Sequence, residues 1–279
     1  MTASHRPLKR FGQNFLESAW AEKLVRSIDP QADQTFVEIG PGRGAITLPL
    51  ARSARHVVAF EIDRDLAADL RATLPGNVTI VEGDFLDLTA PELVDALRRC
   101  SAEGPIRVAG NLPYNVASPI LFKLTELVGA GVPLADAAVM LQREVADRLL
   151  AAPGTRDYGV LTVLIGHVAA VDRLLQLPAG AFRPQPKVLS TVVRLRFQDP
   201  HPAVVDPRVF AGMTQAMFTR RRKTIANALL AYGSPAGIAP EQALAAAGID
   251  PQRRPETLAI AEIAALSDAY ANARRRAVL

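Results

Sequence analysis

The chain has 279 residues, 49% of them apolar, which is enough to bury one large core or a large and a small one. Its single cysteine, Cys100, excludes a disulfide framework and fits a reducing compartment. The net charge of +4 is unevenly spread: residues 204–279 hold ten Lys+Arg against six Asp+Glu and the remainder is balanced, so a neutral body with a basic C-terminal end is expected to meet a polyanion.

The cations near the N-terminus, Arg6, Lys9 and Arg10, are followed by no apolar run, so no signal peptide is expected. The longest apolar stretch, residues 160–171, is too short to span a bilayer and contains His167. A soluble, cytoplasmic protein follows as the expectation.

Strands are predicted at residues 35–39, 56–60, 78–81, 106–109 and 137–141, with helical spacing between them, as at Leu66, Leu70 and Leu74. Strands alternating with helices predict a mostly parallel sheet covered on both faces. Two more strands are predicted at 170–177 and 191–197. Between them, Phe182-Arg183-Pro184-Gln185-Pro186-Lys187 is predicted to be a loop because of its prolines. Beyond a Pro-containing linker at 199–207 the chain reads as all-helical, at 207–232, 240–247 and 255–276. The domain expectation is therefore 1–200 for an α/β domain and 201–279 for a helical one.

Three features sit at carboxyl ends of strands, where such sheets bind ligands. Gly40-Pro41-Gly42-Arg43-Gly44 follows the first strand and permits a tight turn with close backbone approach. It lacks the Gly-Lys-Ser/Thr of a phosphate loop, and it reads G-x-G-x-G, not the G-x-G-x-x-G of dinucleotide folds. Glu61 ends the second strand, 21 residues after Gly40, where a carboxylate can accept from both hydroxyls of a ribose. Asp84, after the third strand, is placed to accept from an adenine amine. Both acids would also serve as helix caps or solvated groups. Together with the loop they favour S-adenosylmethionine (SAM) over a nicotinamide dinucleotide.

Asn111-Leu112-Pro113-Tyr114 follows the fourth strand. An adenine amine is a poor nucleophile because its lone pair is delocalised into the ring. The Asn111 side-chain carbonyl and the Leu112 main-chain carbonyl can accept its N–H groups and stabilise the charge that develops on nitrogen. Pro113 confines Leu112 to extended geometry, and Tyr114 offers a face for stacking on a flipped base. The bland alternative is an Asn-Pro turn with a core tyrosine. Alone, the tetrapeptide would serve methylation of DNA, protein or RNA.

With these motifs, nearly the whole chain resembles the rRNA adenine dimethyltransferases, of the type that modifies small-subunit (16S) rRNA. The resemblance rests on residues 9–16 (Lys-Arg-Phe-Gly-Gln-Asn-Phe-Leu), on Glu38-Ile39-Gly40-Pro41-Gly42 and on Glu61-Ile62-Asp63. It continues in Gly110 to Asn115, Gln142 to Ala146 and residues 182–188, and it ends in Arg221-Arg222-Lys223-Thr224. It implies a Rossmann-like class I SAM methyltransferase with a seven-stranded sheet and a small helical C-terminal domain. It also implies dimethylation of two adjacent adenosines near the 3′ end of 16S rRNA in the immature small subunit, with no metal. Asn14 and Leu16 are implied as SAM contacts from the N-terminal segment, beside Gly40, Gly42, Glu61, Asp84 and Asn111. Phe182 resembles a second aromatic stacking opposite Tyr114; from its residues alone it would equally be a core anchor. Ala117, Leu189 and Arg220 depart from the family pattern without removing any of these groups.

Arg220-Arg221-Arg222-Lys223 is placed in the first C-terminal helix as a basic patch, with Arg221, Arg222 and Lys223 as the expected phosphate contacts. Arg253-Arg254 and Arg274 to Arg276 add to it, although the last run would equally be a solvated tail. The competing readings are a large-subunit (23S, Erm-type) rRNA dimethyltransferase and a non-catalytic ribosome-assembly factor. Nothing in the sequence calls for a dimer, so a monomer is expected.

Overall fold

The computed structural model describes residues 14–100, 106–233 and 238–278. The Lys9 to Gln13 part of the N-terminal motif and the Arg276 side chain lie outside what it describes. The chain divides into two compact units, residues 1–146 with 171–197 and residues 147–170 with 198–279.

The described residues open with β1 (Phe15–Leu16), α1 (Ser18–Ile28), β2 (Thr35–Ile39), α2 (Thr47–Ser53), β3 (His56–Glu61) and α3 (Arg64–Thr73). Next come β4 (Val78–Glu82), α4 (Ala90–Arg99), β5 (Ile106–Asn111), α5 (Ala117–Gly129), β6 (Leu134–Gln142), α6 (Arg143–Leu149) and α7 (Val160–Gly166). After β7 (Ala169–Leu177), a 3-10 turn at Ala179–Ala181 leads to β8 (Phe182–Arg183) and β9 (Ser190–Phe197).

The seven-stranded sheet has the order β4-β3-β2-β5-β6-β9-β7. Strands β4 to β6 are mutually parallel, and β9 runs antiparallel to β6. Every residue of β2 is buried, including the polar Thr35 and Glu38, as a central strand covered by helices on both faces requires. The edge strand β4 is only half-buried. Chain order runs outward from β2 to β3 and β4 on one side and to β5 and β6 on the other. The crevice at this switch point lies beyond the carboxyl ends of β2 and β5.

Turn chemistry fixes the connections. Asp63 caps α3 by accepting from Asp65 N and Leu66 N, and Thr89 with Glu92 forms a capping box on α4. At the amino ends of the strands, Arg107 makes a two-pronged ion pair with Asp136, 2.8 Å in each arm, and donates to the Ile28 carbonyl at 3.0 Å. That contact ties the last turn of α1 to the sheet.

Residues 182–187 are not all loop: β1 and β8 pair antiparallel, with Leu16 opposite Phe182 and Phe15 opposite Arg183. The prolines begin only at 184, and the residue before a proline favours extended backbone, so 182–183 are free to pair. Glu17 extends the contact through its ion pair with Arg183 at 3.2 Å and its N–H on the Ala181 carbonyl at 2.9 Å.

The second unit holds α8 (Pro207–Phe218), α9 (Ile225–Leu229), α10 (Pro240–Ala246), a 3-10 turn at Pro255–Thr257 and α11 (Ile260–Val278). Tyr158, Phe210, Met213, Ile225, Leu244 and Tyr270 contribute to its own core. The helix expected over 207–232 breaks at Thr219 to Thr224, so the basic run lies in a turn between α8 and α9 and not in a helix. Arg221 reaches Glu256 at 2.9 Å and the Arg156 carbonyl at 2.8 Å. The helix expected over 255–276 starts later, because Leu258 is fully buried and Glu262 caps Ala259 N.

Candidate active site

Beyond β2 the chain turns sharply at Gly40 to Gly44. At Gly42 φ is +60°, and an added Cβ would lie 3.3 Å from the Phe15 ring, so any other residue there would be strained and crowded against that ring. The Arg43 guanidinium stacks over the same ring at 4.3 Å. At the end of β3, Glu61 is 4% exposed; its Oε2 accepts from Gly42 N and its Oε1 from Asp63 N, both at 2.9 Å. Burial pushes the Glu61 carboxyl above its ordinary pKa, opposed by those backbone N–H groups and reinforced by the charge of Asp63.

Glu38 stands one residue before the end of β2 and is 1% exposed. Among the described residues neither carboxyl oxygen has a well-aligned hydrogen bond, although the Thr47 hydroxyl is near enough to favour ionisation. Burial is the dominant cause that pushes its pKa up to about 8. Thr47 lowers it, and the charge of Glu61 raises it further.

Asp84 follows β4 and is steadied by accepting from Leu86 N at 2.9 Å. Beside it Phe85 packs edge-on against Phe60, with ring centroids 5.7 Å apart, and Ile62 remains 43% exposed. These groups line a cleft of about 350 Å³ at the switch point, within the size range of small-molecule sites.

The opposite wall is the loop after β5. Gly110 permits it: a Cβ there would come within 2.8 Å of the Ile39 carbonyl oxygen. Asn111 Nδ2 donates to the Asn14 carbonyl at 2.8 Å. A main-chain carbonyl can only accept, so the amide nitrogen faces Asn14 and Oδ1 takes the other branch of the amide. Leu112 N donates to the Met140 carbonyl at 3.3 Å, and Val116 N closes a turn on the Pro113 carbonyl at 3.1 Å. The Tyr114 hydroxyl is 2.7 Å from Ser190 Oγ at the start of β9. Burial raises the Tyr114 phenol above its ordinary pKa, with the Ser190 hydrogen bond opposing.

Asn14, Leu16, Gly40, Gly42, Glu61, Asp84, Asn111, Leu112, Pro113 and Tyr114 therefore line one cleft. Phe182 is not among its lining residues. Its ring is completely buried in the apolar core that includes Leu16, Met140 and Val192. As placed, the ring presents no accessible face to the cleft. Phe15, Ile62 and Phe85 also line the cleft, although the sequence reading gave them no role. Phe15 and Ile62 lie inside quoted motifs and Phe85 directly follows Asp84, which was the signal available.

In the second unit, Arg220, Arg222 and Lys223 are exposed while Arg221 is engaged with Glu256. Arg253 is likewise paired with Glu262. Among the described residues no group of three or more His, Cys, Asp or Glu is placed to hold a metal ion. No helix among them is long and apolar enough to cross a membrane.

The model of the family described as ribosomal RNA adenine dimethylase matches residues 4–272. A ribosomal RNA small subunit methyltransferase A from Acinetobacter baylyi is 43% identical over 268 residues, covering 95% of this chain and 92% of that protein. Its namesake from Nitrosococcus oceani is 43% identical over 273 residues, covering 95% and 97%. Among solved structures, a dimethyladenosine transferase from Plasmodium falciparum shares the fold with a TM-score of 0.73 at 19% identity, over 91% of this chain and 96% of that one. The 23S rRNA methyltransferase ErmE gives 0.65 at 27% identity, over 92% and 100%.

Proposed function

The chain belongs to the ribosomal RNA adenine dimethylase family and is a methyltransferase, and within that family we propose that it dimethylates two adjacent adenosines near the 3′ end of 16S rRNA. It does so with SAM, as a monomer, on the immature small subunit in the cytoplasm. Relatives named for the small subunit are 43% identical over nearly the whole chain, against 27% for the Erm-type structure, which supports this choice of substrate.

The cleft's chemistry fits SAM. Its lining includes the carboxylates Glu61 and Asp84, and its cation, Arg43, is stacked on Phe15. The ribose and adenine of a nucleoside offer hydroxyl and amine donors to those carboxylates. Nothing lies within 4 Å of the Cβ direction of Gly40, which leaves its backbone open to close approach. Glu61 would accept from the ribose hydroxyls through its remaining lone pairs, and Asp84 from the adenine amine, between the apolar sides of Ile62 and Phe85. Asn14 and Leu16 would close the site from the N-terminal segment. When bound, SAM supplies a methyl carbon made electrophilic by its sulfonium.

The observation that carries the chemistry is the Asn111 amide, oriented by Asn14. Its Oδ1 and the Leu112 carbonyl accept the N–H groups of the target amine and stabilise the positive charge that forms as nitrogen is alkylated. Tyr114 stacks on the flipped base. The alkylated nitrogen loses its proton to water, so no strong base is needed. The exposed Arg222 and Lys223 contact RNA phosphates, with Arg221 holding their turn.

Both ribosomal subunits from a strain lacking the modification would be offered together with methyl-labelled SAM. Dimethyladenosine in small-subunit rRNA is expected, and label confined to the large subunit overturns the assignment. Glu61→Ala is expected to weaken SAM binding by about 1–3 kcal/mol, the worth of charged hydrogen bonds. Unchanged affinity in calorimetry would refute the ribose contact.

A further inference from the structure

The loop that faces the target amine is held at three points, and they do different work. Asn111 is tied to Asn14 through its side chain, and Leu112 to Met140 through its backbone. Tyr114 is tied at the far end of its ring, where its hydroxyl meets Ser190 Oγ at 2.7 Å. Ser190 is fully buried and sits opposite Gln142 in the β6–β9 ladder, so its hydroxyl is a fixed point. A ring held at Cβ and at its para oxygen cannot tilt freely about the intervening bonds.

The demand on that ring changes during the reaction. An unmodified adenine amine offers two N–H groups to two acceptors, Asn111 Oδ1 and the Leu112 carbonyl. After one transfer a single N–H remains, and a methyl group occupies the place of the other. Half of the hydrogen bonding that orients the nucleophile is then gone, and the stacked ring must supply the missing alignment. In the second transfer the nitrogen lone pair forms the new N–C bond, and the C–S bond breaks with its electron pair returning to sulfur. The last N–H proton leaves to water.

We propose that Ser190 is a positioning residue for the second methyl transfer: by holding the Tyr114 hydroxyl it keeps the base aligned once one of its two N–H groups has been replaced. The inference rests on the function proposed above.

The test is a time course on unmodified small subunits with the full-length protein and SAM, resolving monomethyl- from dimethyladenosine by mass spectrometry of nucleosides. Ser190→Ala is expected to slow the second transfer about fivefold more than the first, the worth of roughly one hydrogen bond, so that monomethyladenosine accumulates. SAM affinity is expected to match wild type. Tyr114→Phe cuts the same bond from the other side, should shift the product ratio the same way, and decides the matter if the Ser190 variant does not fold. The double variant should shift the ratio no further than the larger single effect. An unchanged monomethyl-to-dimethyl ratio, additive effects, or loss of SAM affinity in parallel with the second transfer would overturn the inference. If wild type itself methylates no adenosine, the proposed function fails and takes the inference with it.

Discussion

The Asn111 amide nitrogen donates to the main-chain carbonyl of Asn14, 97 residues earlier in the chain, at 2.8 Å. The carbonyl oxygen that faces the cleft is therefore oriented by the N-terminal segment, which is itself held by the pairing of Leu16 with Phe182 and by the Phe15 ring beneath Gly42. Asn111→Ala is expected to reduce methyl transfer by about two orders of magnitude or more, the usual scale for removing one preorganised hydrogen-bonding group from a charge-developing site. Its melting temperature should fall only by the worth of about one hydrogen bond, ~1 kcal/mol. Near-normal turnover in the variant would refute the role given to this side chain.

The buried Glu38 makes stability depend on pH in a particular direction. Its carboxyl titrates near the ordinary 4.5 in the unfolded chain and at about 8 in the folded protein. Between those values the folded protein holds a proton that the unfolded chain has lost. The associated stability is fully present below about pH 4.5 and is lost as pH rises through 8. Glu38→Gln removes the titrating group. Its stability relative to wild type should rise on the order of 4 kcal/mol between pH 5 and pH 9 in urea titrations. Parallel stability curves for the two proteins would show that Glu38 ionises normally.

Asp136 accepts both arms of the buried Arg107 and lies 3.4 Å from Arg194 Nε, at the opposite end of the sheet from the cleft. Asp136→Ala strands a guanidinium that is 6% exposed as a residue, and a cost of about 3–5 kcal/mol is expected. SAM affinity in the folded fraction should be unaffected. A loss below ~1 kcal/mol in denaturant unfolding would mean that water or a rearrangement solvates Arg107.

The turn between α8 and α9 separates two kinds of arginine. Arg222→Ala with Lys223→Ala should weaken binding to small-subunit particles and lower the salt slope of log K by roughly one to two, about one unit for each phosphate no longer neutralised. Arg221→Ala removes a partly exposed pair with Glu256. It should cost about 1 kcal/mol or less in stability and change the slope less than the double variant. A larger slope change for Arg221 than for the pair would reverse the assignment.

The sequence by itself determined the strands of the large sheet and the residues that stand at their carboxyl ends. Most strands of the large sheet are dominated by apolar or β-branched residues and closed by a turn, a pattern that burial between helix layers favours. Gly40, Glu61, Asp84 and Asn111 were legible because a parallel sheet collects the ends of its strands at one edge. Tertiary structure alone decided which distant groups meet. Periodicity reports that a residue is buried but not against what, so the position of Phe182 in the core and its pairing with Leu16 did not follow from its motif. The same holds for the Tyr114–Ser190 bond, which joins residues 76 apart. The break at Thr219 to Thr224 also escaped local reading. It depends on Glu256 and on the Arg156 carbonyl, partners that only the folded chain brings to Arg221.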